Sequence, residues 1–122
     1  MPKNVLIVED TEDIAQFVII ALETMGLDTF HASNSERAIE YLQNNMPDLI
    51  VLDIGLPGMS GWQLLDLIKE LREKNGIRIV VTTAFTDPAN RLMGKLQEVD
   101  RYLFKPFQVK DLQDVVGELL QM

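Results

Sequence analysis

The sequence predicts an α/β domain in which five parallel strands alternate with helices, a (βα)5 arrangement of three layers. Runs of β-branched and other apolar residues alternate five times with runs of helical periodicity, which is typical of a parallel sheet. The 122 residues suit one domain. No internal linker is visible, so we expect residues 1–122 to form a single unit. The composition, 47% hydrophobic and 25% charged, is that of an ordinary globular protein.

The first βα unit begins with the apolar run Asn4–Val8, a predicted strand. The helix after it has one apolar stripe and stops near Gly26, a residue favoured just past helix ends. A weaker strand is predicted over Asp28–Ala32. The predicted core positions of this first helix are Ile14, Val18, Ala21, Leu22 and Met25.

The second and third units contain clear helix-start signals. Ser33 and Glu36 have the spacing of a capping box, and Pro47 prevents the second helix from continuing. All four residues of Leu49–Leu52 are apolar, which predicts a central strand covered on both faces. A turn-rich loop follows, and Ser60 is expected to cap the third helix. Predicted inward positions on these two helices are Ala38, Ile39, Leu42, Leu64, Leu65, Ile68 and Leu71.

The last two units complete the sheet. Strands are predicted over Arg78–Thr82 and Arg101–Phe104. Between them Asp87-Pro88 has the pattern of an N-cap followed by proline at the first helical position. Predicted inward positions on the fourth and last helices are Leu92, Met93, Leu96, Val109, Leu112, Val116, Leu119 and Leu120.

Polar residues follow four of the strands, where the carboxyl ends of parallel strands meet at one edge of the sheet. They are Glu9-Asp10, Asp53, Thr83 and Lys105-Pro106. Three carboxylates in one crevice repel each other unless a cation intervenes, and such oxygen ligands suit Mg²⁺ or Mn²⁺. The Lys105 ammonium would offset phosphoryl charge or pair with Asp53, and the small Ala84 leaves a backbone N–H approachable beside the Thr83 hydroxyl.

Each of these residues also has a purely structural interpretation. Glu9 and Asp10 complement the macrodipole of a following helix, and Asp53 is a common turn residue. Thr83 is an ordinary strand residue, and Lys105 an ordinary solvated charge. The conjunction of all of them, rather than any one residue, indicates a site.

Other features exclude several classes of protein. The chain has no cysteine, which rules out disulfides and thiolate metal sites and fits a reducing compartment. Its longest uncharged apolar run is too short to span a bilayer, and a net charge of -8 argues against direct nucleic-acid binding. We therefore expect a cytoplasmic protein. The lone His31 has no visible partner and is interpreted as structural.

Four segments resemble the receiver domain of bacterial two-component response regulators over essentially the whole chain. They are VLIVED (Val5–Asp10), PDLIVLDIGLPGMSG (Pro47–Gly61), VVTTA (Val80–Ala84) and YLFKPF (Tyr102–Phe107). Their order and spacing together are specific. The resemblance implies a flavodoxin-like fold with strand order 2-1-3-4-5.

The resemblance also implies residue roles. Asp53 is similar to the phosphoacceptor that takes a phosphoryl group from a sensor histidine kinase or a histidine phosphotransfer protein. The implied Mg²⁺ ligands are Glu9, Asp10, Asp53 and the carbonyl of Gly55. The implied phosphoryl contacts are Thr83, Ala84 and Lys105. Thr83 and Tyr102 resemble a switch pair acting on the surface of the fourth helix, fifth strand and last helix, and Pro106 resembles a cis-proline.

The sequence departs from this family in the switch region. Glu98-Val99 precede Asp100 where a Gly-Ala-Asp turn is usual, so a bulkier turn is expected. Gly55 and Phe85 stand where family side chains flank the phosphoryl group. We hypothesise that Gly55 opens one side to water while Phe85 covers the other.

Other classes of protein could use the same residues. A dehalogenase-type hydrolase would need a second Asp where Gly55 stands, and a flavodoxin-like cofactor binder would need a phosphate loop after strand one. A degenerate receiver acting only in protein interaction is disfavoured because the acceptor-site residue types are present. We expect a signalling domain, not an enzyme, that is a monomer or a weak phosphorylation-dependent dimer. Charges on the possible dimer surface, interpreted mainly as solvated, are Arg91, Lys95, Arg101, Lys110 and Asp111.

The chain ends at Met122, directly after the last predicted helix and with no basic helix-turn-helix in view. We expect either a stand-alone receiver or one domain of a larger regulator or hybrid kinase.

Overall fold

The computed structural model describes residues 2–84 and 88–122, which form one five-stranded parallel sheet flanked by six helices. The strand order β2-β1-β3-β4-β5 confirms the predicted fold and order. The strands are β1 (Asn4–Val8), β2 (Asp28–Ala32), β3 (Leu49–Asp53), β4 (Arg78–Thr83) and β5 (Arg101–Phe104). The helices are α1 (Glu12–Glu23), α2 (Ser35–Leu42), α3 (Gly61–Leu67), α4 (Lys69–Asn75), α5 (Pro88–Leu96) and α6 (Val109–Leu119).

The sheet separates two apolar cores, because successive side chains of a strand point to opposite faces. On one face, Val5, Ile7 and Val51 pack with α1 and α6. On the other, Leu6 and Ile50 pack with residues of α2 and α3. Every residue of β3 is buried, as its unbroken apolar run predicted. The strand pairs with β1 and β4, so it lies at the centre of the sheet.

The predicted cap of α2 is wrong by one residue. Asn34, not Ser33, is the N-cap, and its side chain accepts from the backbone N–H of Arg37 at 2.8 Å. The extended backbone of Asn34, with φ near −157°, places its amide oxygen over the first turn. Ser33 lies one position too early for this bond, and Glu36 is not its capping partner.

The predicted cap of α3 is confirmed. Ser60 accepts from the N–H of Gln63 at 3.2 Å, and the Gln63 side chain accepts from the N–H of Ser60 at 2.9 Å. These two bonds form a capping box, which satisfies two donors at the start of the helix.

The predicted third helix is two helices, α3 and α4, which meet at Ile68. Ile68 has φ −101° and ψ 10°, outside the helical range, while its side chain is buried in the core. The N–H of Ile68 donates to Leu64 and its carbonyl accepts from Arg72, so the backbone bonds continue across the break. The seven residues of α4 contribute no buried side chain, and Leu71 is half-buried.

Two predicted core residues of α5 are exposed instead. Leu92 and Leu96 are 57% and 65% exposed, whereas Met93 packs against the core and Gly94 is buried. The helix therefore turns Gly94, rather than a leucine, toward the sheet. Pro88 is the first residue of α5 as predicted, and the predicted N-cap Asp87 lies outside the described residues.

The last helix follows its predicted face with one exception. Leu112, Val116 and Leu120 are buried, and Leu119 is half-buried, but Val109 in the first turn is 40% exposed. The helix begins at Val109, so this side chain lies at its open end. None of the helices in the described part of the chain combines the length and apolar character that crossing a membrane requires.

The turn before β5 is held by Arg72, which sequence reasoning did not single out. Its guanidinium donates to the carbonyls of Ile77, Gln97 and Glu98 and pairs with Asp100 at 3.3 Å. Glu98 has φ 55°, a left-handed conformation that is uncommon without glycine. The expected departure from a glycine-containing turn is therefore present, and Arg72 stabilises it.

Candidate functional site

Three carboxylates meet at the carboxyl edge of the sheet. Val8 of β1 pairs with Leu52 of β3, so the residues that follow them, Glu9 and Asp53, lie side by side. One carboxylate oxygen from each of Glu9, Asp10 and Asp53 lies within 4.8 Å of the others. Glu9 and Asp53 are buried, at 3% and 8% exposure, whereas Asp10 is exposed. The predicted acidic cluster is thus assembled with one side open to solvent.

Lys105 supplies a cation to this cluster. Its Nζ donates to Glu9 Oε1 at 2.8 Å and to Asp53 Oδ2 at 3.2 Å. Its backbone N–H donates to the carbonyl of Thr83 at 2.8 Å, which ties the start of the loop after β5 to the end of β4. The peptide bond to Pro106 is cis, as the family resemblance implied.

Burial and charge shift two pKa values in the site. Burial raises the pKa of Glu9, and the nearby Asp53 charge adds to this, while hydrogen bonds from Lys105 and from the Thr11 N–H oppose it. Burial alone would lower the pKa of Lys105, but its hydrogen bond to Glu9 and the charge of Asp53 outweigh burial and raise it. Lys105 therefore stays protonated at neutral pH.

Backbone donors fix the orientation of two carboxylates. The N–H of Gly55 donates to Asp53 Oδ1 at 2.9 Å, and the N–H of Thr11 donates to Glu9 Oε2 at 3.1 Å. Gly55 is exposed, so the Asp53 carboxylate borders an open side of the site. The carbonyl of Gly55 as a ligand stays a prediction.

The donor set fits a hard divalent cation. Each of the three acidic residues offers an oxygen, and one ammonium stands against three carboxylates when all are ionised. A small, partly open oxygen cluster of this kind suits Mg²⁺, which keeps several waters and accepts phosphate oxygens as ligands.

The two other predicted phosphoryl contacts lie at the end of β4. Thr83 is 1% exposed and pairs with Phe104 of β5 in the sheet register. Ala84 is the exposed residue that follows it. Phe85, the predicted cover of the site, lies outside the described residues.

Tyr102 packs beneath α5. Its hydroxyl donates to the carbonyl of Asn90 at 2.9 Å, and its ring lies 6.5 Å from that of Trp62. The Trp62 indole N–H donates to the side-chain oxygen of Asn90 at 2.9 Å. Sequence reasoning did not single out Asn90 or Trp62, because no local pattern relates residues on three separate elements.

His31 has a partner that the sequence did not show. Its Nε2 lies 2.7 Å from the carbonyl oxygen of Glu9, a distance at which the ring N–H donates to this carbonyl. The contact joins β2 to the end of β1, beside the acidic cluster. The structural interpretation of His31 fits this position.

The fold and this site define a known class of signalling domain. The family model described as the response regulator receiver domain matches residues 5–117. The chain therefore belongs to the response regulator receiver domain family.

Individual relatives agree with the family. The DNA-binding response regulator MtrA of Mycolicibacterium paratuberculosis is 35% identical over 112 residues, which are 92% of this chain and 48% of MtrA. The chain thus spans about half the length of the curated relatives it matches.

Solved structures show the same fold. A CheY-like response regulator receiver domain protein from Methanospirillum hungatei has a TM-score of 0.93 and 27% identity, covering 99% of this chain and 95% of that one. The signal receiver domain of a histidine kinase from Syntrophus aciditrophicus has a TM-score of 0.88 and 29% identity, covering 98% and 90%.

Proposed function

We propose that this receiver domain accepts a phosphoryl group on Asp53 from a phosphohistidine of a sensor histidine kinase or a histidine phosphotransfer protein. The observation that carries the proposal is the contact of Asp53 with Lys105 inside the cluster of Glu9, Asp10 and Asp53. An Asp53 oxygen would attack phosphorus as the P–N bond breaks, and the phosphohistidine ring, already protonated on its other nitrogen, would take the bonding electron pair and leave as neutral imidazole. The product is an aspartyl phosphate.

Glu9, Asp10, Asp53 and the Gly55 carbonyl would hold Mg²⁺, or Mn²⁺, at the open side of the cluster. The bound cation would offset negative charge on the phosphoryl oxygens. The acidic donor set supports this assignment, because carboxylates alone would repel an incoming phosphoryl group.

The positions of the side chains support the remaining proposed contacts. The Gly55 N–H holds Asp53 Oδ1, which leaves Oδ2, the oxygen facing Lys105, as the nucleophile. Lys105 would exchange its carboxylate partners for a phosphoryl oxygen and act as a point charge. Thr83 and the N–H of Ala84 would contact a further phosphoryl oxygen at the end of β4.

We further propose that phosphorylation changes the surface of α5, β5 and α6 through Thr83 and Tyr102. A phosphoryl group adds strong local hydrogen bonds, which can bias a two-state segment. Two charged residues on this surface already have partners: Arg91 lies 5.8 Å from the centre of the Phe104 ring, and Arg101 pairs with Glu118. A change at Tyr102 would therefore move groups that a partner or a second copy could contact.

In this proposal residues 1–122 act as one cytoplasmic receiver domain, which signals rather than turns over a substrate. Its phosphoryl group is lost slowly to water. The domain itself does not bind nucleic acid, and it is a monomer or a weak phosphorylation-dependent dimer. The MtrA relative is described as DNA-binding, a property of a protein about twice as long.

Labelling with phosphoramidate tests the proposal. The parent should acquire one phosphoryl group with Mg²⁺ and none after chelation, and Asp53→Asn should acquire none. Asp13→Asn, at an exposed carboxylate near the site, is the control and should label like the parent. Labelling of Asp53→Asn at the parent's rate would refute the proposal. Continuous multiple turnover of phosphate esters would instead indicate a hydrolase.

A further inference from the structure

Gly94 of α5 lies against the phenol of Tyr102. A Cβ atom built on Gly94 would overlap the Tyr102 hydroxyl and would lie only 2.5 Å from the ring carbon Cε2. Real Cβ atoms essentially never approach another atom within 3.0 Å. The Tyr102 phenol therefore occupies space that any residue other than glycine would fill.

Asn90 holds the same phenol from one helical turn away. Residues four apart on a helix lie on one face, which brings Asn90 and Gly94 together over Tyr102. The backbone carbonyl of Asn90 accepts from the Tyr102 hydroxyl, and the side-chain oxygen of Asn90 accepts from the Trp62 indole N–H. One residue of α5 thus joins Tyr102 of β5 to Trp62 of α3.

We propose that Gly94 is a positioning residue that sets the place of Tyr102, with Asn90 connecting that place to Trp62. The Gly94 seat, meaning the space beside Gly94 that the phenol fills, exists only while position 94 has no side chain. Filling it would expel the phenol, break its bond to Asn90 and change the surroundings of Trp62. The idea that the Gly94 seat biases the response to phosphorylation rests on the proposed function. The existence of the Gly94 seat does not depend on that function.

Glycine at this position is otherwise unfavourable. Glycine in a helix interior is less stable than alanine because it loses more backbone freedom on folding. Gly117 of α6 offers a matched comparison, since its added Cβ would meet only Met25 Cε at 3.5 Å, an ordinary contact. Gly117→Ala should therefore raise the melting temperature, while Gly94→Ala should lower it or expel Tyr102.

The first test observes Tyr102 directly by NMR of the full chain with ¹³C-labelled tyrosine rings. The chain has two tyrosines, so Tyr41→Phe assigns both signals. Without any phosphoryl donor, Gly94→Ala should shift the Tyr102 signal and leave Tyr41 in place, and Gly117→Ala should shift neither. An unshifted Tyr102 signal in Gly94→Ala would overturn the inference.

The second test adds beryllofluoride and Mg²⁺ as a phosphoryl mimic. The parent should show a change at Tyr102 and in the fluorescence of Trp62, the chain's one tryptophan, and both changes should be lost or strongly reduced in Gly94→Ala. Equal changes in parent and variant would overturn the inference that the Gly94 seat biases the response to phosphorylation. A parent that does not respond would contradict the proposed function while leaving the first test intact.

A double-mutant cycle covers the case in which Gly94→Ala folds poorly. Tyr102→Ala should restore folding to Gly94→Ala, and in the Tyr102→Ala background Gly94→Ala should raise the melting temperature as Gly117→Ala does. Tyr102→Phe should not rescue, because the overlap includes the ring carbons Cζ and Cε2 as well as the hydroxyl. Failure of Tyr102→Ala to rescue would show that Gly94 is required for some other contact.

Discussion

Lys105 Nζ lies 3.2 Å from Asp53 Oδ2, whereas the Gly55 N–H donates to the other carboxylate oxygen, Oδ1. The same ammonium lies 2.8 Å from Glu9 Oε1. Lys105 is therefore the counter-ion of Glu9 and Asp53 in this structure. The proposed metal binding and phosphoryl transfer would both redistribute this charge.

Lys105→Met should have opposite effects on stability and on metal binding. Without the ammonium, the buried Glu9 and Asp53 carboxylates lose a charged hydrogen-bond donor, and we expect a loss of about 1.5–3 kcal/mol in the free energy of unfolding. Mg²⁺ should bind more tightly, because no ammonium competes for the carboxylates. Chemical denaturation and Mg²⁺ titration measure the two effects.

Lys110→Met controls for the loss of one positive charge. Lys110 is exposed on α6, and its replacement should change neither the free energy of unfolding nor the Mg²⁺ affinity appreciably. Weaker Mg²⁺ binding in Lys105→Met than in the parent would contradict the assigned roles.

Stability should fall as pH rises through the titration of Glu9. Burial raises the folded-state pKa of Glu9 above 4.5, so folding favours its protonated form. Below the pKa that Glu9 has in the unfolded chain, the contribution of Glu9 to the free energy of unfolding is fully present. It is lost as pH rises through the pKa that Glu9 has in the folded protein. The stability of the parent relative to Glu9→Gln, measured without Mg²⁺, should therefore decrease over that window.

Glu12→Gln, at an exposed carboxylate of α1, controls for the removal of one acidic group. If the stability difference between parent and Glu9→Gln instead rose with pH over that window, burial would not be the dominant influence on Glu9.

Arg72→Ala should destabilise the turn before β5. The side chain is 15% exposed, and its loss removes charged donors from the carbonyls of Ile77, Gln97 and Glu98. We expect a loss of about 1.5–3 kcal/mol in the free energy of unfolding, measured by urea denaturation.

Arg78→Ala is the matched comparison for Arg72→Ala. Arg78 also pairs with Asp100, at 2.9 Å, but its side chain is 46% exposed, so we expect a loss of about 0–1 kcal/mol. Equal losses in the two variants would show that Arg72 does not hold the turn beyond its ion pair.

The sequence was sufficient for the sheet and for the acidic cluster because both depend on local patterns. Apolar runs mark the strands, and polar residues directly after them must gather at one edge once the strands are parallel. Glu9, Asp53 and Lys105 are consequently found together as predicted.

Contacts between distant elements were not predictable in the same way. Arg72 reaches carbonyls more than twenty residues away, and the fit of Tyr102 against Gly94 depends on the rotation of α5. Helical periodicity favoured Leu92 and Leu96 as core residues, yet both are exposed, and Gly94 lies against Tyr102 instead. Local periodicity contains no information about which side chain of a neighbouring strand a helix will meet.

Gly55→Asn should lengthen the life of the aspartyl phosphate. Gly55 is exposed beside Asp53, so a side chain there would obstruct water that approaches the phosphoryl group. Decay of the labelled protein after removal of the donor measures the effect. Phe85→Ala is expected to shorten the lifetime, and unchanged decay in both variants would refute the proposed water access.

The position of the phosphoryl group tests the central claim most directly. After labelling with phosphoramidate and Mg²⁺, borohydride reduction converts an aspartyl phosphate to homoserine, which peptide mass spectrometry can locate. We predict conversion at Asp53, at no other acidic residue, and none when the labelling is done without Mg²⁺. Reduction of Asp10 to homoserine, or of Glu9 to the alcohol one methylene longer, in place of Asp53, or an equal yield without the metal, would contradict the account.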